Sequence, residues 1–253
     1  MDPFWRTVEN ALPGMGWDLF SAGHLAWLLA GAAACALAGL AYNHMGEYGR
    51  RIFRMVLAIL IIENLVSDQI FLAVTGQYTL DHIPLHMCCF GGYLIVAHAF
   101  MTKKNDMLAG LTYAVSLPGA VLALATPNWS VLPYWNFSGI QSFLYHIMLI
   151  MYPVALICGG YRPSFAHIRR TVIPILLCIA AIFGLNKLLG TDFLFINGAK
   201  TVPWLHSLTK IFGDIGYIWV FPVIIALLWT IMFLPFYLIS RSKTRARSST
   251  VNV

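Results

Sequence analysis

The chain of 253 residues is 59% hydrophobic and only 10% charged, with a formal net charge of +6. A soluble domain carries about 25% charged residues, so a water-soluble fold could not bury this much apolar surface. The excess positive charge lies in short polar stretches between apolar segments, which indicates attraction to anionic lipid headgroups rather than a nucleic-acid-binding face.

Seven apolar segments are long enough to cross a membrane. About 20 residues span a hydrocarbon core roughly 30 Å thick, and backbone polar groups in lipid must be satisfied within each segment. We therefore predict an all-α, polytopic integral membrane protein with helices at 21–42, 52–74, 86–101, 107–125, 139–160, 168–189 and 216–239. Residues 1–240 form one transmembrane domain in this prediction, and residues 241–253 form a basic, disordered tail.

The basic residues predict an orientation. Loops 43–54, 102–106 and 161–170, together with the tail, hold 12 of the 16 Lys and Arg residues, whereas loops 75–85 and 126–138 hold none. The positive-inside rule then places the amino terminus outside the cell and the carboxyl terminus in the cytoplasm.

The third segment begins with Ile83-Pro84-Leu85-His86-Met87-Cys88-Cys89, which places an imidazole and two thiols at the start of an apolar helix. A thiol and an imidazole can act together as a nucleophile and its base. Polar groups are rare inside a bilayer unless they are used or paired. His86 and Cys89, three residues apart, share a helix face if the helix already includes His86.

No metal site or cofactor is predicted, because the chain contains no paired CxxC and no HExxH spacing. Cys35, Cys158 and Cys178 lie within apolar spans, where a thiol packs as a small hydrophobe. The expected partners are membrane lipids, with no role for nucleic acid. The sequence leaves the oligomeric state open.

Further polar residues of the spans share the outer half of the membrane on this topology. On the second helix, Asn64 and Asp68, and likewise Glu63 and Ser67, are four residues apart and form one polar face. The candidate residues outside the third segment are His24, Glu63, Asp68, His146, Asn186 and Asp192. They serve either a substrate or interhelical hydrogen bonds worth about 1 kcal/mol each.

Loop 126–138 is rich in aromatic residues. Pro127-Asn128-Trp129 and Pro133-Tyr134-Trp135 form either a lid at the membrane interface or a plain aromatic belt. Asn128-Trp129-Ser130 and Asn136-Phe137-Ser138 fit the glycosylation pattern, which matters only in a eukaryotic secretory pathway.

A series of landmarks along the chain resembles a known family. They are Phe20 and His24, Thr75-Gly76-Gln77-Tyr78, Ile83-Pro84-Leu85-His86-Met87-Cys88, Thr126-Pro127, His146, and Asn186 with Leu189-Gly190-Thr191-Asp192. Over residues 20–240 the chain is similar to the YwaF-like bacterial seven-helix membrane proteins. These are distantly related to a vertebrate transmembrane acyltransferase that remodels ether phospholipids. Two positions depart from the pattern, because Cys89 replaces a usually polar residue and Asp192 stands where Asn is common.

The resemblance implies a seven-helix, multi-pass protein of the bacterial plasma membrane. It matches Cys88 to an acyl-carrying nucleophile, and His86 and His146 to the family's histidines. We therefore predict a lipid acyltransferase that forms a thioester on Cys88, with His86 or His146 as the base. The residues expected to bind or orient the substrate are His24, Glu63, Asp68, Cys89, Asn186 and Asp192.

Other functions stay open on the sequence alone. Intramembrane carboxylates such as Glu63 and Asp68 line many substrate or proton paths, so a transporter or lipid-binding protein without catalytic activity is the main alternative. A structural partner of other membrane proteins is a third. A retinal protein is set aside, because residues 216–239 contain no lysine for a Schiff base.

Overall fold

A computed structural model describes residues 2–198 and 202–251, apart from the side chains of residues 170, 203, 204, 214, 215, 221 and 243–251. The described residues contain no β-strand and form eight α-helices: α1 (Ala22–His44), α2 (Glu47–Val74), α3 (Met87–Ala99), α4 (Asp106–Ala125), α5 (Phe137–Cys158), α6 (Phe165–Ile168), α7 (Val172–Leu189) and α8 (Pro203–Val251).

Seven stretches of these described residues are helical, long and apolar enough to cross a membrane. They are α1, α2, Leu80–Ala99, Asp106–Val131, α5, α7 and Gly216–Ser242. The predicted all-α, seven-span architecture is therefore confirmed. The orientation of the termini stays a prediction.

Helix α5 lies at the centre and packs against α1, α2, α3 and α4. Small residues allow this close approach, as they do in many membrane bundles. A Cβ atom built on Gly31 of α1 would lie 2.9 Å from the Ile147 side chain of α5. One built on Gly91 of α3 would lie 3.0 Å from the Cα of Ser116 on α4. Helix α3 thus approaches the backbone of α4, and α1 packs closely on a side chain of α5.

Helix α2 begins five residues earlier than predicted, because Gly46 caps it and Glu47 stands in the first turn, where a negative charge favours a helix start. Arg50, Arg51 and Arg54 therefore belong to the helix instead of a loop. The Arg50 guanidinium donates to the backbone carbonyls of Tyr42 and Gly159, near the carboxyl ends of α1 and α5. This side chain adds hydrogen bonds at two helix ends, where the last carbonyls lack the usual helical N–H donors.

Helix α8 is longer than the predicted last span. That span was predicted at 216–239, yet the structure begins α8 at Pro203, a residue favoured in a first turn. Gly213, with φ 67° and ψ 171°, breaks the helix before the last span, and glycine adopts this conformation without strain. The helix then continues to Val251, and the division of the chain into a transmembrane domain and a tail stays a prediction. Residues 241–251 contain no Gly or Pro to stop the helix, and elongation needs no new nucleus.

The amino-terminal segment before α1 lies over the ends of α2 and α5. The Asn136 side-chain amide is fully buried and donates to the backbone carbonyls of Pro3, Phe4 and Arg6. The Gln77 amide donates to the Trp5 carbonyl and accepts from the Thr7 amide. These bonds hold residues 3–10 as a roof over the space between the helices.

Candidate functional site

A cavity of about 620 Å³ lies beneath this roof, within the range of small-molecule sites. Side chains of α2, α3, α4 and α5 line it, together with the segments before α3 and after α7. Ile224, Ile225 and Leu228 of α8 supply an apolar wall. The space therefore combines a polar end with a surface suited to a hydrocarbon chain.

The Cys88 thiol meets an imidazole in this cavity. Cys88 lies in the first turn of α3, and its Sγ is 3.2 Å from Nε2 of His146, which α5 presents from the opposite side. His146 is only 9% exposed. The two residues are 58 positions apart in the chain, so the pair depends on the packing of α3 against α5.

The tautomer of His146 follows from its second nitrogen. Nδ1 lies 2.7 Å from the backbone carbonyl of Ser142, which can only accept a hydrogen bond. Nδ1 therefore carries the hydrogen and donates to this carbonyl, and Nε2 of the neutral ring is free to accept from the Cys88 thiol. This is the arrangement that a thiol nucleophile and its base require.

Tyr145, the neighbour of His146 in the sequence, holds the backbone of Cys88 in place. Its buried hydroxyl donates to the backbone carbonyl of Cys88 at 3.0 Å. The same short stretch of α5 thus holds the backbone and the sulfur of Cys88. This hydrogen bond restricts the motion of Cys88 relative to His146. Two groups react faster when they are held in the right relative position.

His86 lies in the cavity but not on the helix. It is the extended N-cap of α3, with φ −75° and ψ 159°, because the preceding Pro84 and Leu85 keep the chain out of the helix. The predicted shared helix face of His86 and Cys89 is therefore wrong. The His86 ring packs on Phe193 and Phe195, and its Nδ1 has no hydrogen-bond partner among the described residues.

Three more of the predicted residues line the same cavity: Asp68 from α2, Cys89 from α3, and Asp192 from the turn after α7. The Asp192 carboxylate accepts from the backbone N–H of Asn197 at 2.7 Å. Six of the nine predicted residues therefore meet in one space: Cys88, His86, His146, Asp68, Cys89 and Asp192.

The other three predicted residues do not line it. His24 is fully buried. Its Nδ1 accepts from the Phe20 amide, and its Nε2 lies 2.8 Å from the Leu124 carbonyl oxygen. Both ring nitrogens therefore contact backbone groups. Asn186 is also buried and bonds Thr191 and both backbone polar groups of Phe193, which shapes the turn after α7. Glu63 lies on the exposed face of α2.

Residues 19–239 match the TMEM164 family. The chain belongs to this family. The match spans every predicted site residue, from His24 to Asp192, and includes most of the last membrane span. No curated protein and no solved structure matches the chain.

Gln141 and Trp129 also line this cavity of the TMEM164-family protein, and neither was predicted as a site residue. Gln141 of α5 donates to the Asn64 carbonyl and the Ser67 hydroxyl of α2, while its own carbonyl oxygen has no partner among the described residues. Trp129 was considered only as part of a lid or an aromatic belt. The signal for Gln141 was available, because it is a polar residue within an apolar span, five positions before His146.

The cysteines and carboxylates of this TMEM164-family protein are not grouped for metal binding in the part of the chain that the structure describes. No set of three or more His, Cys, Asp or Glu residues there lies close enough to hold an ion. The five cysteines are free thiols. The groups that line the cavity include the Cys88 and Cys89 thiols and the His86 and His146 imidazoles.

Proposed function

We propose that this TMEM164-family membrane protein is a lipid acyltransferase, with Cys88 as the nucleophile and His146 as its base. The observation that carries the proposal is the 3.2 Å contact between Cys88 Sγ and His146 Nε2 inside a cavity with both polar and apolar walls. The family match supports a membrane-embedded role. The resemblance to YwaF-like proteins supports a bacterial plasma membrane. The distribution of basic residues supports a site in the outer leaflet.

The reaction runs in two halves. In the first, the Cys88 thiol gives its proton to His146 Nε2, and the sulfur attacks the ester carbonyl carbon of a donor lipid. The carbonyl π electrons move to oxygen and form an oxyanion. Its collapse breaks the ester bond, and the departing lysolipid oxygen takes the proton from His146, which leaves a Cys88 thioester.

The second half returns the enzyme to its starting state. The hydroxyl of an acceptor lysolipid gives its proton to His146, and its oxygen attacks the thioester carbonyl. Collapse of the new oxyanion forms the product ester and expels the Cys88 thiolate, which recovers the proton from His146. The net change is the transfer of one acyl group between two lipids, with no oxidant or reductant.

The remaining cavity residues have supporting roles in this proposal. His86, Asp68 and Asp192 line the cavity. The His86 imidazole can donate to a lipid oxygen, whereas the two carboxylates can only accept, for example from the free hydroxyl of the acceptor lysolipid. Cys89 lies beside the nucleophile. The apolar wall from α8 receives the hydrocarbon chain.

The test uses Cys88→Ala in the purified full chain, reconstituted in nanodiscs with phosphatidylcholine labelled in its acyl chains and an unlabelled lysolipid acceptor. We expect the wild type to acquire a label that hydroxylamine releases and to pass it to the acceptor. The variant should do neither, because it has no sulfur to form the thioester. Cys178→Ala, which changes an exposed cysteine of α7, is the matched control and should react normally. Full transfer by Cys88→Ala would refute the proposal.

A transporter or non-catalytic lipid-binding protein is the second candidate. It is favoured by Asp68, a carboxylate from the predicted outer half of a membrane span that lines the same cavity. The same experiment separates the two functions. Lipid that co-purifies with the protein but is never covalently attached would favour binding or transport.

A further inference from the structure

Trp129 has a buried hydrogen-bond donor without a protein partner. The side chain is 5% exposed and lines the same cavity as Cys88 and His146. No acceptor among the described residues receives its indole Nε1–H. Buried donors in native proteins are nearly always paired, and each exception calls for an explanation. Since an indole nitrogen only donates, whatever pairs with it in the cavity must be an acceptor.

The indole lies directly against the proposed base, His146. Its ring stacks on the His146 imidazole, with 5.3 Å between centroids and 17° between planes. Phe143 supports it edge-on at 5.3 Å and 89°. A short 3₁₀ turn, Asn128–Val131, carries the residue, and the Trp129 carbonyl accepts from the Leu132 amide. The donor is therefore held in place before any ligand enters.

We propose that the Trp129 indole N–H donates to the acyl carbonyl oxygen and stabilises the oxyanion in both halves of the transfer. This inference rests on the proposed function, since it needs an acyl group on or near Cys88. An oxyanion is the acceptor that such a site develops, and a preorganised donor lowers the barrier most where charge appears only in the transition state. The first turn of α3 adds backbone N–H groups, which have no acceptor within their own helix.

Removal of the indole N–H alone distinguishes the two roles of Trp129. It slows the reaction if the N–H acts as a donor and has no effect if the ring only packs. Replacement of Trp129 by 3-benzothienylalanine keeps the shape of the ring and its stacking on His146 but exchanges N–H for sulfur. Trp129→Phe removes the same donor with a genetically simpler change. Trp27→Phe is the matched control, because Trp27 stacks on Phe143 at 4.6 Å without lining the cavity.

The experiment measures single-turnover labelling of Cys88 and steady-state kcat and KM in nanodiscs, with thermal unfolding as the check of folding. We expect both Trp129 variants to lose about 100-fold in labelling rate and kcat with little change in KM, the size found for one oxyanion donor. Trp27→Phe should keep its rate. A benzothienylalanine variant that melts like the wild type and labels at the wild-type rate would overturn the inference.

The two proposals fail separately. If Cys88→Ala transfers acyl groups, the proposed function falls, and this inference falls with it. If Cys88→Ala is inactive while both Trp129 variants react at full rate, only the oxyanion role is refuted. Trp129 is then the aromatic belt residue that the sequence already offered as an alternative.

Discussion

His146 is the residue whose chemistry depends most on its second nitrogen. The hydrogen bond from Nδ1 to the Ser142 carbonyl keeps Nε2 unprotonated toward Cys88. A glutamine at this position can accept a hydrogen bond but cannot carry the proton through the reaction.

We expect His146→Gln to lower the rate of acyl transfer by at least about 100-fold, the usual contribution of a positioned base. The measurement is single-turnover labelling of Cys88 in nanodiscs. His44→Gln, at an exposed position at the end of α1, should leave the rate unchanged. A His146→Gln variant that labels as fast as the wild type would assign the base to another group.

Residue chemistry could be read from the chain, but residue partners could not. A thiol and several imidazoles at membrane depth indicated a site, and the family resemblance matched Cys88, His86 and His146 to functional positions. Sequence spacing relates residues within a helix, whereas Cys88 and His146 belong to different helices. Only the packing of α3 on α5 shows which of the two imidazoles lies beside the Cys88 sulfur.

Sequence spacing was also insufficient to predict the surroundings of the polar residues on helix α2. The four-residue spacing correctly indicated polar residues along the helix, and Asn64 and Asp68 both line the cavity. Ser67 turns inward and bonds Gln141, while Glu63, four residues earlier, stays exposed. The helical period predicts only approximately which residues share a face. It does not show which face of the helix is covered by neighbouring helices.

Helix α3 is the element whose position matters most, because it carries Cys88. Gly91→Ala would bring a methyl group within 2.9 Å of the Ser116 Cβ and 3.0 Å of its Cα, where no flexible side chain can yield. We expect a loss of stability of about 1–3 kcal/mol from overpacking, together with slower labelling of Cys88, because α3 shifts away from α4 and its position against α5 changes.

The control for Gly91→Ala is Gly184→Ala on α7, where a Cβ meets no atom within 4 Å. This change should be neutral or stabilising by up to about 1 kcal/mol, since alanine is the better helix former. Thermal unfolding in nanodiscs compares the two. Equal melting temperatures for both variants and the wild type would show that α3 and α4 tolerate separation.

At the scale of the whole molecule, hydropathy was sufficient to find the seven spans, because a lipid environment forces each apolar segment into a helix. Helix ends were less predictable. The start of α2, the extended entry to α3 and the break at Gly213 depend on capping and on φ/ψ values that a hydropathy pattern does not contain.

The orientation follows from charge and is testable in a bacterial host. We expect a carboxyl-terminal fusion to green fluorescent protein to fluoresce and one to alkaline phosphatase to be inactive, since the phosphatase needs disulfides that form outside the cytoplasm. A phosphatase fusion truncated after Leu132, in the segment between α4 and α5, should be active. The opposite pattern would invert the topology and move the cavity to the inner leaflet.

The burial of Asn136 has a consequence for any eukaryotic host. Its side-chain nitrogen shares two hydrogens among three backbone carbonyls of residues 3–6 and has no room for another bond. Attachment of an oligosaccharide needs that same nitrogen. A sugar chain added before folding would keep the amino-terminal segment from docking, and the docked segment closes the acceptor to the modifying enzyme.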